Sequence, residues 1–149
     1  MIAIGCDHAA RTLKAKIIEH LKSKGYEVKD FGCHSDESVD YPDYARLVAK
    51  SVTSGESEMG ILICGTGIGM SMAANKVKGI RCAVCGDTFS AKATREHNDA
   101  NVLAIGERVT GVGLALDIVD VFVTTKFSGD ARHVRRINKI TEIEESEND

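Results

Sequence analysis

The sequence predicts an α/β fold, a doubly wound three-layer sandwich on a five-stranded parallel sheet with an additional C-terminal helix. Three observations lead there. Short apolar runs such as Met1–Cys6 and Ile61–Cys64 lack the in-out alternation of a half-exposed strand, the pattern of strands buried on both faces. Segments with apolar residues at helical spacing lie between the strand-like runs. The run Ile61–Cys64 passes into Gly65-Thr66-Gly67-Ile68-Gly69 and then an Ala- and Met-rich stretch, which reads as strand, tight loop and helix start.

The elements follow in order. Met1–Cys6 forms the first strand and ends in Asp7-His8. Ligands of open parallel sheets bind beyond the carboxyl ends of strands, so both residues are placed for chemistry; a helix-capping Asp and a surface His account for them equally well. Leu13, Ile17, Ile18 and Leu21 line a helix over about 11–24, stopped at Gly25. Residues 26–31 alternate as a strand near an edge, and 32–40 is a polar loop. A helix over about 41–54 carries the single proline, Pro42, near its start, where proline is tolerated. Tyr41 either packs there or points its hydroxyl into a site.

After the central strand and a helix over 67–76, residues 80–85 form a fourth strand. Cys82 and Cys85 on it are three apart, face opposite sides and have no second ligand pair, so zinc is not expected. Asp87 lies about where a Rossmann acid would follow a glycine loop, but a cap of a helix over about 88–97 is the better reading. The polar cluster holding His97 and Asn98 is either capping or an imidazole beside the site as general acid or base. A fifth strand spans 102–105, a helix runs from 112 to about 126, and a last helix begins near 131. Arg132 and Arg136, four apart, share a face and either clamp a phosphate or form a solvated basic turn. The acidic segment 142–149 is expected to fray. The candidate groups fall mainly at or just beyond strand C-terminal ends.

The glycine loop carries the chemical reading. The spacing G-x-G-x-G fits neither the dinucleotide fingerprint nor a P-loop. Glycines allow close approach, and a helix N-terminus presents unpaired N–H groups, a setting for an anion or a developing oxyanion. Cys64 at its lip is expected to act as a thiolate. A turn that merely needs small residues is the alternative.

The 149 residues suit one domain, residues 1–149. A formal charge of −3 gives no electrostatic footprint for nucleic acid or an anionic membrane. Five cysteines, an odd number without small-domain spacing, suit free thiols in a reducing cytoplasm. No basic segment precedes the first apolar run, so no signal peptide is expected, and no run spans a bilayer.

The combination Gly5-Cys6-Asp7-His8, Asp40-Tyr41-Pro42-Asp43-Tyr44-Ala45, Ile63 through Ser71, Ala73-Ala74-Asn75-Lys76, Arg95-Glu96-His97-Asn98 and Arg132-His133 closely resembles the type B ribose-5-phosphate isomerases. Their family also holds the galactose-6-phosphate isomerase subunits. The resemblance covers nearly the whole chain. It implies a Rossmann-like fold and a metal-free, cofactor-free aldose–ketose isomerase. It also implies a homodimer or dimer of dimers with sites built from both subunits. The family's thiol base matches Cys64, its anion loop Gly65 to Gly69 (Gly65, Gly67, Ile68 and Gly69 contacting substrate), and its ring-opening imidazole His97 with Asn98 beside it. Asp7, His8, Tyr41 and Arg108 match substrate contacts, and Arg132 and Arg136 the phosphate arginines. Thr66 would shuttle the hydroxyl proton. Ser128-Gly129-Asp130-Ala131 is one residue longer than the usual Gly-Gly before Arg-His, and Ala10-Arg11 replaces a usual Gly and aromatic. A hexose 6-phosphate isomerase (allose or galactose type) is the near alternative. A non-catalytic flavodoxin-like nucleotide-binding module is the distant one.

Overall fold

A computed structural model describes residues 1–147. Five strands, β1 (Ile2–Cys6), β2 (Val28–Asp30), β3 (Met59–Cys64), β4 (Cys82–Val84) and β5 (Val102–Gly106), form one sheet. The helices are α1 (Arg11–Ser23), α2 (Tyr41–Thr53), α3 (Ile68–Ala74), α4 (Thr88–Asn98), α5 (Val112–Thr124) and α6 (Ala131–Ser146). A 3₁₀ turn at His8–Ala10 leads into α1. The outer strands β2 and β4 are shorter than the runs 26–31 and 80–85, because each has a ladder partner on one side only.

All strand pairs are parallel, in the order β2-β1-β3-β5-β4. The flavodoxin-like order is 2-1-3-4-5. Here β5 inserts between β3 and β4, so Cys64 pairs directly with Gly106. That insertion brings the end of β5 against the glycine loop.

Side chains alternate between two core layers, as the pleat requires. Ile4, Cys6, Ile61, Ile63, Leu103 and Ile105 pack with α1 and α5, where Phe122 is the largest fully buried side chain. Ala3, Leu62, Cys64 and Val102 pack with α2 and α3. Among the described residues, no helix is long and apolar enough to cross a membrane.

Local chemistry fixes the connections. Asp87 caps α4 by accepting the Ser90 N–H at 2.6 Å, and that bond holds its carboxyl below the ordinary range. Asn75 bonds both the N–H and the carbonyl of Cys82 (2.7 and 2.9 Å), covering the open edge of β4. Buried Lys14 donates to Asp30 and to the Cys33 carbonyl, both at 2.9 Å, tying α1 to the loop after β2. The acidic segment expected to fray is helical through Ser146, because the Glu144 carboxylate accepts the Gly79 N–H at 3.0 Å. Residues 148 and 149 lie outside the described residues.

Candidate active site

β3 delivers Cys64 to the carboxyl edge of the sheet, and the loop turns at once. Gly67 takes φ +78, and its N–H donates to Cys64 Sγ at 3.1 Å. The thiol is 5 % exposed and belongs to the α2/α3 core layer, so it is more enclosed than a residue facing only a ligand. Thr66 is exposed, and its Oγ1 accepts the Ile68 N–H at 3.2 Å.

The loop closes on the start of the β5–α5 connection. Glu107 N–H donates to the Cys64 carbonyl at 2.9 Å, and Arg108 N–H to the Gly65 carbonyl at 3.0 Å. The Arg108 side chain lies over Gly65, where a Cβ would touch its Cδ at 3.6 Å. The other contact is tighter: a Cβ on Gly106 would lie 2.6 Å from the Thr66 carbonyl carbon. Tyr41 covers Gly69 from α2, its ring 2.6 Å from where a Cβ would stand.

Asp7 and His8 border the same edge. Asp7 N–H donates to the Ile63 carbonyl at 3.2 Å, and its Oδ1 accepts Ala9 N–H at 3.0 Å. His8 Nδ1 accepts the Val39 N–H at 3.1 Å, so the ring proton sits on Nε2 and is available to a ligand. Cys64, Thr66, the glycine loop, Asp7, His8, Tyr41 and Arg108 thus form one group, with a thiol, loop N–H groups and a guanidinium at one sheet edge.

The other candidates do not join them. α4 runs back against the strand direction, so His97 and Asn98 end at the edge where β5 begins. Four steps of β5, roughly 13 Å at about 3.3 Å each, separate Val102 from Gly106. The α5–α6 connection comes to the same far edge, where Ser128 N–H donates to the Glu96 carbonyl at 3.2 Å. There His97 and His133 stack with ring centroids 4.5 Å apart. Burial, then Arg132, His97 and Arg136, push the His133 imidazole below its ordinary range, against the opposing pull of Asp130. Arg132 and Arg136 therefore flank the imidazole pair, a cationic group suited to an anion. The expectation that the candidate groups gather at strand C-terminal ends is thus corrected for His97, Asn98, Arg132 and Arg136.

Residues 2–140 match the family described as ribose/galactose isomerase. The chain belongs to that family. It is 57 % identical to a putative sugar phosphate isomerase of Bacillus subtilis, over 97 % of each chain. It is 51 % identical to ribose-5-phosphate isomerase B of Escherichia coli, over 99 % of this chain and 98 % of the relative. The structure of a ribose-5-phosphate isomerase B from Clostridium thermocellum superposes with a TM-score of 0.95, at 57 % identity over 97 % of each chain.

On this isomerase scaffold the structure adds groups that sequence reasoning missed. His133, 5 % exposed and bonded to Ser128 Oγ at 2.8 Å, backs His97. Read as one position of a basic turn, it gave no sign of facing a second histidine from another helix. Glu107 has a buried Oε2 with no hydrogen-bond partner among the described residues. The departure before Arg132 is also placed: Asp130 lies 3.6 Å from Arg132, both on the surface.

Proposed function

We propose that this chain is a ribose-5-phosphate isomerase, interconverting D-ribose 5-phosphate and D-ribulose 5-phosphate through a cis-enediolate. The observation that carries the reading is the Cys64 sulfur at the mouth of the glycine loop, 3.1 Å from the Gly67 nitrogen, on a loop that Arg108 covers at Gly65 and Tyr41 at Gly69. The names of its full-length relatives support the substrate.

The residues divide the chemistry as follows. His97 moves the proton that opens the furanose ring, with Asn98 beside it. Cys64 takes the C2 proton of the open aldose as thiolate. The enediolate oxygen is held by Arg108 and by loop N–H groups at Gly65 and Gly69, while the Gly67 and Ile68 N–H groups hold Cys64 Sγ and Thr66 Oγ1 in place beside it. Thr66 passes the hydroxyl proton between O1 and O2, and the Cys64 thiol returns its proton to C1. Arg132 and Arg136 hold the phosphate, while Asp7, His8 and Tyr41 hold the sugar. The base and the phosphate anchor lie at opposite edges of one chain. A second copy then completes each site, in a homodimer or a dimer of dimers. The enzyme acts as one domain, without metal or cofactor, in the cytoplasm.

The test is kcat/KM of the purified protein on a panel of aldose phosphates. Ribose 5-phosphate is expected to lead, with allose 6-phosphate and galactose 6-phosphate behind it. A hexose 6-phosphate in first place, or no turnover of any, would contradict the assignment.

A further inference from the structure

Asp99 is the one non-glycine residue with positive φ among the described residues (φ 44, ψ 47). It follows His97 and Asn98 directly and ends α4. Asp adopts the left-handed region more readily than most side chains where local hydrogen bonds hold it.

Two guanidiniums do so. Arg81, at the start of β4, donates through Nε to the Asn98 carbonyl at 2.8 Å and through Nη2 to the Asp99 carbonyl at 2.9 Å. Its Nη2 also lies 3.5 Å from Asp99 Oδ2. Arg95, one turn back on α4, reaches Asp99 Oδ1 at 3.0 Å and the Ala100 carbonyl at 2.5 Å. Arg95 is 8 % exposed, and its Nε donates to the Thr125 carbonyl at the end of α5. Asn101 completes the tie, with its Oδ1 accepting the Arg81 N–H at 2.9 Å and its Nδ2 donating to the Gly79 carbonyl at 2.8 Å. The carbonyls left open at the end of a helix are thus satisfied by side chains from two elements. The His97–Asn98 pair is pinned from its C-terminal side.

We infer that Asp99, gripped between Arg81 and Arg95, is a positioning residue that fixes the His97 imidazole for ring opening. The inference rests on the ring-opening role proposed for His97. Asp99 touches no substrate in this reading. It acts through the helix end that carries the histidine, where a displacement of about 1 Å can cost on the order of a hundredfold in rate.

The test uses the full chain with Asp99→Gly, which keeps the backbone conformation and removes the carboxylate. Arg81→Lys is the second variant; it keeps the charge and loses the planar fork. Amide exchange at residues 97–100 reads the grip. The pre-steady-state ring-opening phase with ribose 5-phosphate reads its consequence. Exchange is expected to accelerate at least about tenfold, and ring opening to slow by roughly tenfold or more. Inhibition by inorganic phosphate and solvent-proton exchange into ribulose 5-phosphate should stay within about twofold of the parent, which a general loss of structure would not allow. Unchanged amide exchange in both variants would overturn the grip. Faster exchange with ring opening unaltered would overturn the positioning role. His97→Ala separates the underlying reading: if ring opening survives it, the role of His97 fails, while the exchange data still decide whether Asp99 holds the helix end. If Asp99→Gly does not fold, Arg81→Lys carries both readouts.

Discussion

At the scale of single residues, the account turns on Cys64 and its neighbours. Its sulfur faces the Gly67 N–H, while Cys6, Cys82 and Cys85 are pushed up to about 12, 12 and 11, each chiefly by burial. Cys6 and Cys85 are core thiols, and Cys82 packs half-buried against the core. Cys64→Ala is expected to lower kcat by about 10²–10⁴, the usual worth of a general base, while phosphate inhibition persists. A variant keeping more than about a tenth of parental kcat would assign the base elsewhere. Glu107 gives a second test. Burial pushes its carboxyl above 4.5, the Leu13 N–H pulls it back, and Asp7 pushes it further up. The folded chain then binds this proton more tightly than the unfolded chain. Its contribution to stability is fully present below pH 4.5 and is lost as pH rises through the folded value. Glu107→Gln removes that loss, so the variant should gain in Tm relative to the parent at pH 8 compared with pH 4. A Tm difference that ignores pH would contradict it.

At the scale of elements, the glycine loop and the end of β5 are one unit. Gly106 is glycine because the Thr66 backbone occupies the place of its Cβ. Gly106→Ala should cost about 1–3 kcal/mol, since the obstructing atoms are backbone and no rotamer change clears them. It should also lower kcat by displacing Thr66; a Tm and kcat within error of the parent would show that the loop is free to move. The strand–loop–helix at Cys64 was legible in the sequence because apolar runs and glycine spacing are local signals. So was the Asp87 cap. The strand order was not legible. Inserting β5 beside β3 is a long-range choice, and without it nothing in the spacing places Arg108 against Gly65. Helix direction also misled the reading of His97: a polar cluster between a helix and a strand looks the same at either sheet edge. The bond that ties α6 back to the body was not legible either, because Glu144 finds its partner, Gly79, far away in the chain.

At the scale of the whole molecule, one edge of the sheet holds the thiol and the oxyanion loop. The other holds the imidazole pair and the arginines. In the proposed division of roles, the base comes from one edge and the ring-opening imidazole and phosphate arginines from the other. Mixing Cys64→Ala with His97→Ala tests this most directly. Each variant alone should be nearly inactive. If Cys64 of one copy works with His97 of another, a mixed dimer contains one intact site and one doubly defective site. Random reassortment from equal amounts makes half the dimers mixed, so about a quarter of parental kcat should return after partial unfolding and joint refolding. No recovery, with mixed dimers demonstrated by mass, would mean that each site is built within a single chain.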